Sequence, residues 1–171
     1  WHENRRVNMS NDPKIVTQMF EQSLRDLDTD YIDIYMIHWP DERVDIRKPL
    51  EVLNRFQSQG KIKTIGLCNT NKNDLKLANE VCSIDVLQSE FNFFTDSFAD
   101  LGDTSKYFKM GWGTFEKGIL TGSVREDRTF EASDCRSWAP WWKSSGWREK
   151  VKLVRQIEES LSVPNLSSHA L

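Results

Sequence analysis

Apolar positions recur along this chain with two different periods. Val16, Phe20, Leu24 and Leu27 fall on one face of a helix that opens at Asn11-Asp12-Pro13, a capping side chain followed by a first-turn proline. Ile46, Leu50, Leu53 and Phe56 define a second helix, which Gly60 closes. A shorter third helix is predicted over 74–81, with Leu75, Ala78 and Cys82 on one side. Another runs over 147–161, with Val151, Val154, Ile157 and Leu161 in register. Between the helices, residues 31–38, 61–68, 84–91 and 107–113 read as strands. The first is apolar on both faces apart from Asp33, the pattern of a strand buried within a parallel sheet. Residues 1–10 are polar and irregular, and 122–145 read as a long loop rich in tryptophan.

Strands that alternate with helices in this way specify an α/β fold built from strand–helix units. Such units wind either into an open doubly wound sheet or into a closed (β/α)8 barrel. No GxGxxG follows any strand and no GxxxxGK[ST] is present, so the phosphate loop that marks many doubly wound sheets is missing. The barrel is the expected architecture, and four parallel strands are about half of one. The 171 residues are read as a single partial barrel domain spanning 1–171. The chain starts at Trp1 and stops at what looks like the opening turn of a helix, so it is expected to be a fragment of a longer polypeptide.

Charge narrows the function classes. The formal net charge is −3 and the 29% of charged residues are mixed in sign, which gives no footprint for nucleic acid or anionic lipid. No apolar run approaches the roughly 18 residues of a membrane span. Three cysteines (Cys68, Cys82 and Cys135) lack CxxC spacing and read as free thiols in a reducing compartment, so a cytoplasmic location is expected. His2 and His169 have no partners at metal spacing, and no metal site is expected.

The candidate chemistry gathers where the strands end. The run Ile32-Asp33-Ile34-Tyr35-Met36-Ile37-His38-Trp39-Pro40 stops at an imidazole, and the proline forbids the strand from continuing. If the strands are parallel, His38, Cys68 with Asn69, Gln88 with Asn92, and Trp112 share one rim, the edge where α/β folds carry their chemistry. Side-chain amides read an amide or carbonyl through paired donors and acceptors, and an indole offers a stacking face. That set suits a planar heteroaromatic ligand bearing a carboxamide. Each residue also has a structural reading: a packed histidine, amides that satisfy buried backbone, an inert thiol, a barrel-filling tryptophan. Trp138, Trp141, Trp142 and Trp147 cluster around Pro140. They would serve as a lid over substrate, as a sugar or protein platform, or simply as packing.

At this rim the sequence resembles the aldo-keto reductases. The resemblance rests on Ser23-Leu24-Arg25-Asp26-Leu27 with Thr29-Asp30-Tyr31-Ile32-Asp33 and Ile37-His38-Trp39-Pro40. Gly60-Lys61-Ile62-Lys63, Ile65-Gly66-Leu67-Cys68-Asn69, Val86-Leu87-Gln88-Ser89-Glu90-Phe91-Asn92 and Gly118-Ile119-Leu120-Thr121-Gly122 follow in the family's order. It covers roughly 10–125 closely and 147–171 more loosely. It implies a (β/α)8 barrel that binds NADP(H) across its rim and moves a hydride between nicotinamide and a carbonyl or alcohol. His38 would be the histidine beside the substrate oxygen. Asn69 and Gln88 would hold the nicotinamide carboxamide, with Cys68 where the family usually has serine. Trp112 would stack on the nicotinamide and Leu120 would fall near the pyrophosphate. A lid is the role the resemblance favours for the tryptophan loop.

The departures carry expectations of their own. Nothing in 1–10 resembles the family's aspartate, tyrosine and lysine, so the isolated chain is expected to be inactive. Residues 98–106 are shorter and more turn-like than the helix the family places there. A non-catalytic nucleotide-binding regulatory module, with potassium-channel β-subunits as precedent, is the alternative reading. A small-molecule carbonyl or alcohol is the expected partner, with self-association through exposed strand edges.

Overall fold

A computed structural model of the chain describes residues 9–161. They divide into two compact units. Among them the first comprises residues 9–91 and Thr95–Trp112, the second Asn92–Phe94 and residues 113–161.

In the first unit, helix α1 (Pro13–Asp26) starts where expected, with the Asp12 side chain accepting from the Lys14 amide. Strand β1 (Ile32–Ile37), helix α2 (Arg47–Ser58), strand β2 (Ile62–Cys68), helix α3 (Lys72–Val81) and strand β3 (Val86–Asn92) follow. A two-residue strand β4 (Thr95–Asp96) and strand β5 (Phe108–Trp112) complete the sheet. The strands β1, β2, β3 and β5 are parallel and adjacent in chain order, with Met36 opposite Gly66, Gly66 opposite Val86 and Val86 opposite Phe108. Sequential order without a reversal is the order of a barrel and not of a doubly wound sheet.

Alternation along the strands creates two faces. Tyr35, Ile37, Ile65, Leu67 and Leu87 face the helices. There Phe20 of α1 meets Tyr35 edge-on at 5.0 Å and Phe56 of α2 at 4.3 Å between ring centres. Leu50, Leu53, Leu75 and Ala78 close this core. Burying each of the larger side chains contributes about 1.5–3 kcal/mol relative to exposure. The opposite face carries Ile34, Met36, Gly66, Cys68, Val86, Gln88, Met110 and Trp112. Gly66 is required there, because an added Cβ would come within 2.7 Å of Met36 Cγ and 2.9 Å of the Val86 carbonyl oxygen.

Two expectations change and one holds. The first strand is not buried on both faces: Asp33 and Ile34 are exposed, and Asp33 accepts from Lys63 Nζ at 2.8 Å. Among the described residues only one side of β1 pairs, and no helix covers the face on which Ile34 lies. Leu27 caps α1 in place of packing beneath it and is 63% exposed. Residues 98–106 hold a single 3-10 turn (Ala99–Leu101), as their turn-like composition suggests.

In the second unit, a 3-10 segment (Glu116–Thr121), a 3-10 turn (Cys135–Ser137), the short helix α4 (Pro140–Lys143) and helix α5 (Trp147–Leu161) surround a small core. The stretch expected to be one long loop therefore carries two short helical pieces. Trp142 and Trp147 are buried and stack at 5.4 Å, with Phe130 edge-on to Trp142. Ile119, Val124, Val151 and Val154 complete the cluster. Two of the four clustered tryptophans are thus core residues, and their burial explains them as packing where a lid was expected. Trp141 is 45% exposed.

One buried acid organises this unit. Glu116 is 1% exposed and accepts from Lys150 Nζ at 2.6 Å and from Asn92 Nδ2 at 2.9 Å, with Lys117 Nζ at 3.4 Å. Burial pushes its carboxyl upward, but the bond from Lys150 and the charges of both lysines outweigh that, and the net direction is downward. The carboxylate therefore stays ionised and tied to α5. Removing Lys150 leaves the buried carboxylate with the longer Lys117 contact and the Asn92 bond, so Lys150→Met is expected to destabilise the protein by about 2 kcal/mol in denaturant unfolding followed by tryptophan fluorescence. An unchanged midpoint would contradict this role.

Candidate active site

The rim is assembled by register. Cys68 lies opposite Gln88, Gln88 opposite Met110, and Glu90 opposite Trp112, so the three strand ends come level. His38 directly follows β1. The turn beyond it is fixed by Asp41, whose backbone N–H donates to Asn11 Oδ1 at 2.7 Å. Arg43 grips the Asp41 carboxylate with two bonds of 2.7 and 2.9 Å and donates to the Met9 carbonyl. The bonds from the Arg43 side chain hold the Asp41 carboxyl down to about 2. The pair is half in solvent on the arginine side, so it orients the loop more than it stabilises the fold. The sequence offers only a faint signal for this clasp, an aspartate two residues before an arginine just past the proline.

At the rim itself the side chains form one directed chain. Trp112 Nε1 donates to Asn69 Oδ1 at 3.1 Å. Asn69 Nδ2 donates to the His38 backbone carbonyl at 3.0 Å and to Cys68 Sγ at 3.1 Å. The Cys68 thiol donates to Gln88 Oε1 at 3.1 Å. The backbone adds a further link, Asn69 N–H to the Gln88 carbonyl at 2.9 Å. Asn69 reaches these partners from a left-handed backbone with φ of +52°, a conformation that asparagine tolerates better than most residues.

The direction of this chain is not arbitrary. An indole nitrogen only donates and a backbone carbonyl only accepts, so the Asn69 amide must point its oxygen at Trp112 and its nitrogen at His38. The thiol, receiving an N–H, passes its own hydrogen on to Gln88. Burial pushes the Cys68 thiol up to about 11, which keeps it protonated and a donor. The His38 imidazole is exposed and makes no hydrogen bond within the described residues.

The structure thus brings His38, Cys68, Asn69, Gln88 and Trp112 together in the first unit. Asn92, expected on the same rim, bonds instead to Glu116 and the Gly113 carbonyl of the second unit. Leu120 lies in the 3-10 segment of the second unit, partly buried against that unit's hydrophobic cluster. The backbone around it runs through left-handed values at Glu116, Lys117, Gly118 and Gly122. Sequence reasoning overlooked Glu116, because no pattern in a glycine-bearing loop distinguishes a buried acid from a solvated one. His2 and His169 lie outside the described residues. Within those residues no group of His, Cys, Asp and Glu could hold a metal ion, and no helix is long and apolar enough to cross a membrane.

The sequence profile described as "Aldo/keto reductase family" matches residues 2–170. The chain belongs to the aldo-keto reductase family. It is 31% identical to "Aldo-keto reductase YhdN" of Bacillus subtilis over 93% of its own length and 49% of that protein. It is 24% identical to "NADH-specific methylglyoxal reductase" of Escherichia coli over 84% of its length and 46% of that protein. It is likewise 24% identical to "Aldo-keto reductase yakc [NADP(+)]" of Schizosaccharomyces pombe over 94% of its length and 49% of that protein. Among solved structures, the glycerol dehydrogenase AKR11B4 of Gluconobacter oxydans superposes with a TM-score of 0.81 at 23% identity, covering 99% of this chain and 54% of that one. The chain therefore spans about half the length of the curated relatives it matches. Its architecture is a partial (β/α)8 barrel with parallel strands and flanking helices.

The rim of this aldo-keto reductase chain makes a clear statement about its thiols. Cys68 is buried, Cys82 is half-buried and raised to about 11 by burial and by Asp85, and Cys135 is exposed. Alkylation by iodoacetamide at neutral to mildly basic pH is expected to modify Cys135 first, with Cys68 and Cys82 at least about tenfold slower. Mass mapping that found Cys68 reacting as fast as Cys135 would show that its hydrogen is not held in the rim.

Proposed function

We propose that this chain supplies the nicotinamide-binding rim of an NADP(H)-dependent aldo-keto reductase that converts aldehydes or ketones to alcohols, or the reverse. The directed chain from Trp112 through Asn69 and Cys68 to Gln88 is the observation that carries the reading. It holds an aromatic ring, an amide and an imidazole-bearing loop at neighbouring strand ends, and that donor set fits a flat ring with a carboxamide. When bound, the dinucleotide supplies or accepts the hydride. Trp112 offers its ring to the nicotinamide, Cys68, Asn69 and Gln88 form the cradle of the carboxamide, and Leu120 is assigned to the pyrophosphate segment. His38 donates a hydrogen bond to the carbonyl oxygen as negative charge builds there, a task suited to an imidazole because it can donate while uncharged.

Relatives named for NADH and for NADP(+) leave the family open to both dinucleotides, and NADP(H) is the choice proposed here. Residues 1–171 alone are expected to have negligible reductase activity, since no residue matches the family's proton-donating tyrosine. Both units are assigned to one partial barrel domain, cytoplasmic, with a small carbonyl or alcohol substrate and with unpaired strand edges that favour self-association.

The test is His38→Ala in the full-length protein. Losing an oxyanion donor is expected to lower kcat about 100-fold or more while the dinucleotide Kd changes little. Dinucleotide binding without turnover of any carbonyl in wild type would favour the regulatory-module reading instead. Unchanged kcat in the variant would remove His38 from the chemistry.

A further inference from the structure

The crossovers from β1 to β2 and from β2 to β3 run through α2 and α3, of 12 and 10 residues. The crossover from β3 to β5 holds only the two-residue strand β4 and the three-residue 3-10 turn Ala99–Leu101. The helix side of that strand pair is therefore left open. Leu87 and Phe91 both point to this side of β3, yet Leu87 is fully buried and Phe91 is 47% exposed. Lys109 and Gly111 of β5, opposite Leu87 and Ser89, share the face. A cavity of about 450 Å³ occupies the gap, within the size range of small-molecule sites, with Asp96, Phe98 and Thr104 in its wall. It lies wholly in the first unit, on the opposite face of the sheet from Gln88 and Trp112.

Its wall carries two opposite charges that do not meet. The Asp96 carboxylate accepts from the Phe98 and Ala99 N–H groups through Oδ1 alone, at 3.0 and 3.3 Å. Its Oδ2 makes no hydrogen bond among the described residues. Lys109 Nζ lies 5.6 Å from the centre of the Phe98 ring and forms no ion pair among the described residues. An acid and an amine that line one small cavity without pairing can be bridged by a single ligand carrying both charges. Phe91 adds an exposed ring, backed by Phe98 at 6.1 Å between ring centres, on which an aromatic ligand can pack. Gly111 keeps the floor low, because an added Cβ would come within 3.2 Å of Phe91 Cβ.

We infer that this cavity binds a small aromatic zwitterion of the amino-acid type, with its ammonium at Asp96, its carboxylate at Lys109 and its ring on Phe91. A ligand with only one charge would cover the other wall charge without pairing it, which disfavours simple amines and acids. The site does not depend on the dinucleotide reading, since none of the rim residues lines it.

The experiment titrates the full-length protein with L-phenylalanine, phenethylamine, phenylacetate and L-alanine by calorimetry, on wild type, D96N and K109M. D96N removes the charge and keeps the Oδ1 acceptor of the turn, and K109M changes an exposed side chain. Wild type is expected to bind L-phenylalanine at least about fivefold more tightly than the other three, each of which lacks one contact. D96N should weaken L-phenylalanine and phenethylamine about fivefold and leave phenylacetate as tight or tighter. K109M should weaken L-phenylalanine and phenylacetate by a similar factor and leave phenethylamine as tight or tighter. Saturating dinucleotide should leave the L-phenylalanine Kd unchanged. No binding of L-phenylalanine to wild type at about 10 mM would overturn the inference. So would binding that neither variant weakens, or binding that the dinucleotide displaces, which would put the ligand at the rim.

Discussion

An indole N–H can only donate and a peptide carbonyl can only accept, and Asn69 stands between one of each. That pair of one-way groups orients the Asn69 amide, which orients the Cys68 thiol, which in turn orients Gln88. Strand order supplies the distances: parallel neighbours in register bring Cys68, Gln88 and Trp112 to one level, and the Asp41–Arg43 clasp holds the loop that carries His38. Fold and site are therefore one construction. A slip of one residue in β3 or β5 would turn Gln88 or Trp112 to the helix side and dissolve the chain of bonds.

The rim was legible in the sequence because its residues end apolar runs. His38 precedes a proline that stops β1, Cys68 and Asn69 close β2, and Gln88 lies in β3, so the hydrophobic pattern together with parallel pairing locates them. Helix starts and stops were legible for the same local reasons, at Asp12-Pro13 and at Gly60. What was not legible depends on partners distant in sequence. Ile34 reads as a core residue in the sequence, and its exposure depends on which strands and helices meet β1 among the described residues. The bonds that take Asn92 to Glu116 span 24 residues and leave no periodic trace.

The tryptophan cluster illustrates a different limit. Composition marks Trp138 to Trp147 as unusual but does not distinguish a ring that faces a ligand from one that fills a core. Trp142 and Trp147 lie flat on one another beneath Phe130, and Val151 and Val154 of α5 pack with them into the same cluster. The helical period of α5 was predicted from those same valines, yet nothing in that period names the rings they would meet.

The most direct measurement is an experimental structure of the full-length protein with its nicotinamide dinucleotide bound. The expected result has the nicotinamide ring against Trp112 and its carboxamide within hydrogen-bond reach of the cradle formed by Cys68, Asn69 and Gln88. A dinucleotide seated away from the strand ends, with its carboxamide remote from Asn69 and Gln88, would contradict it.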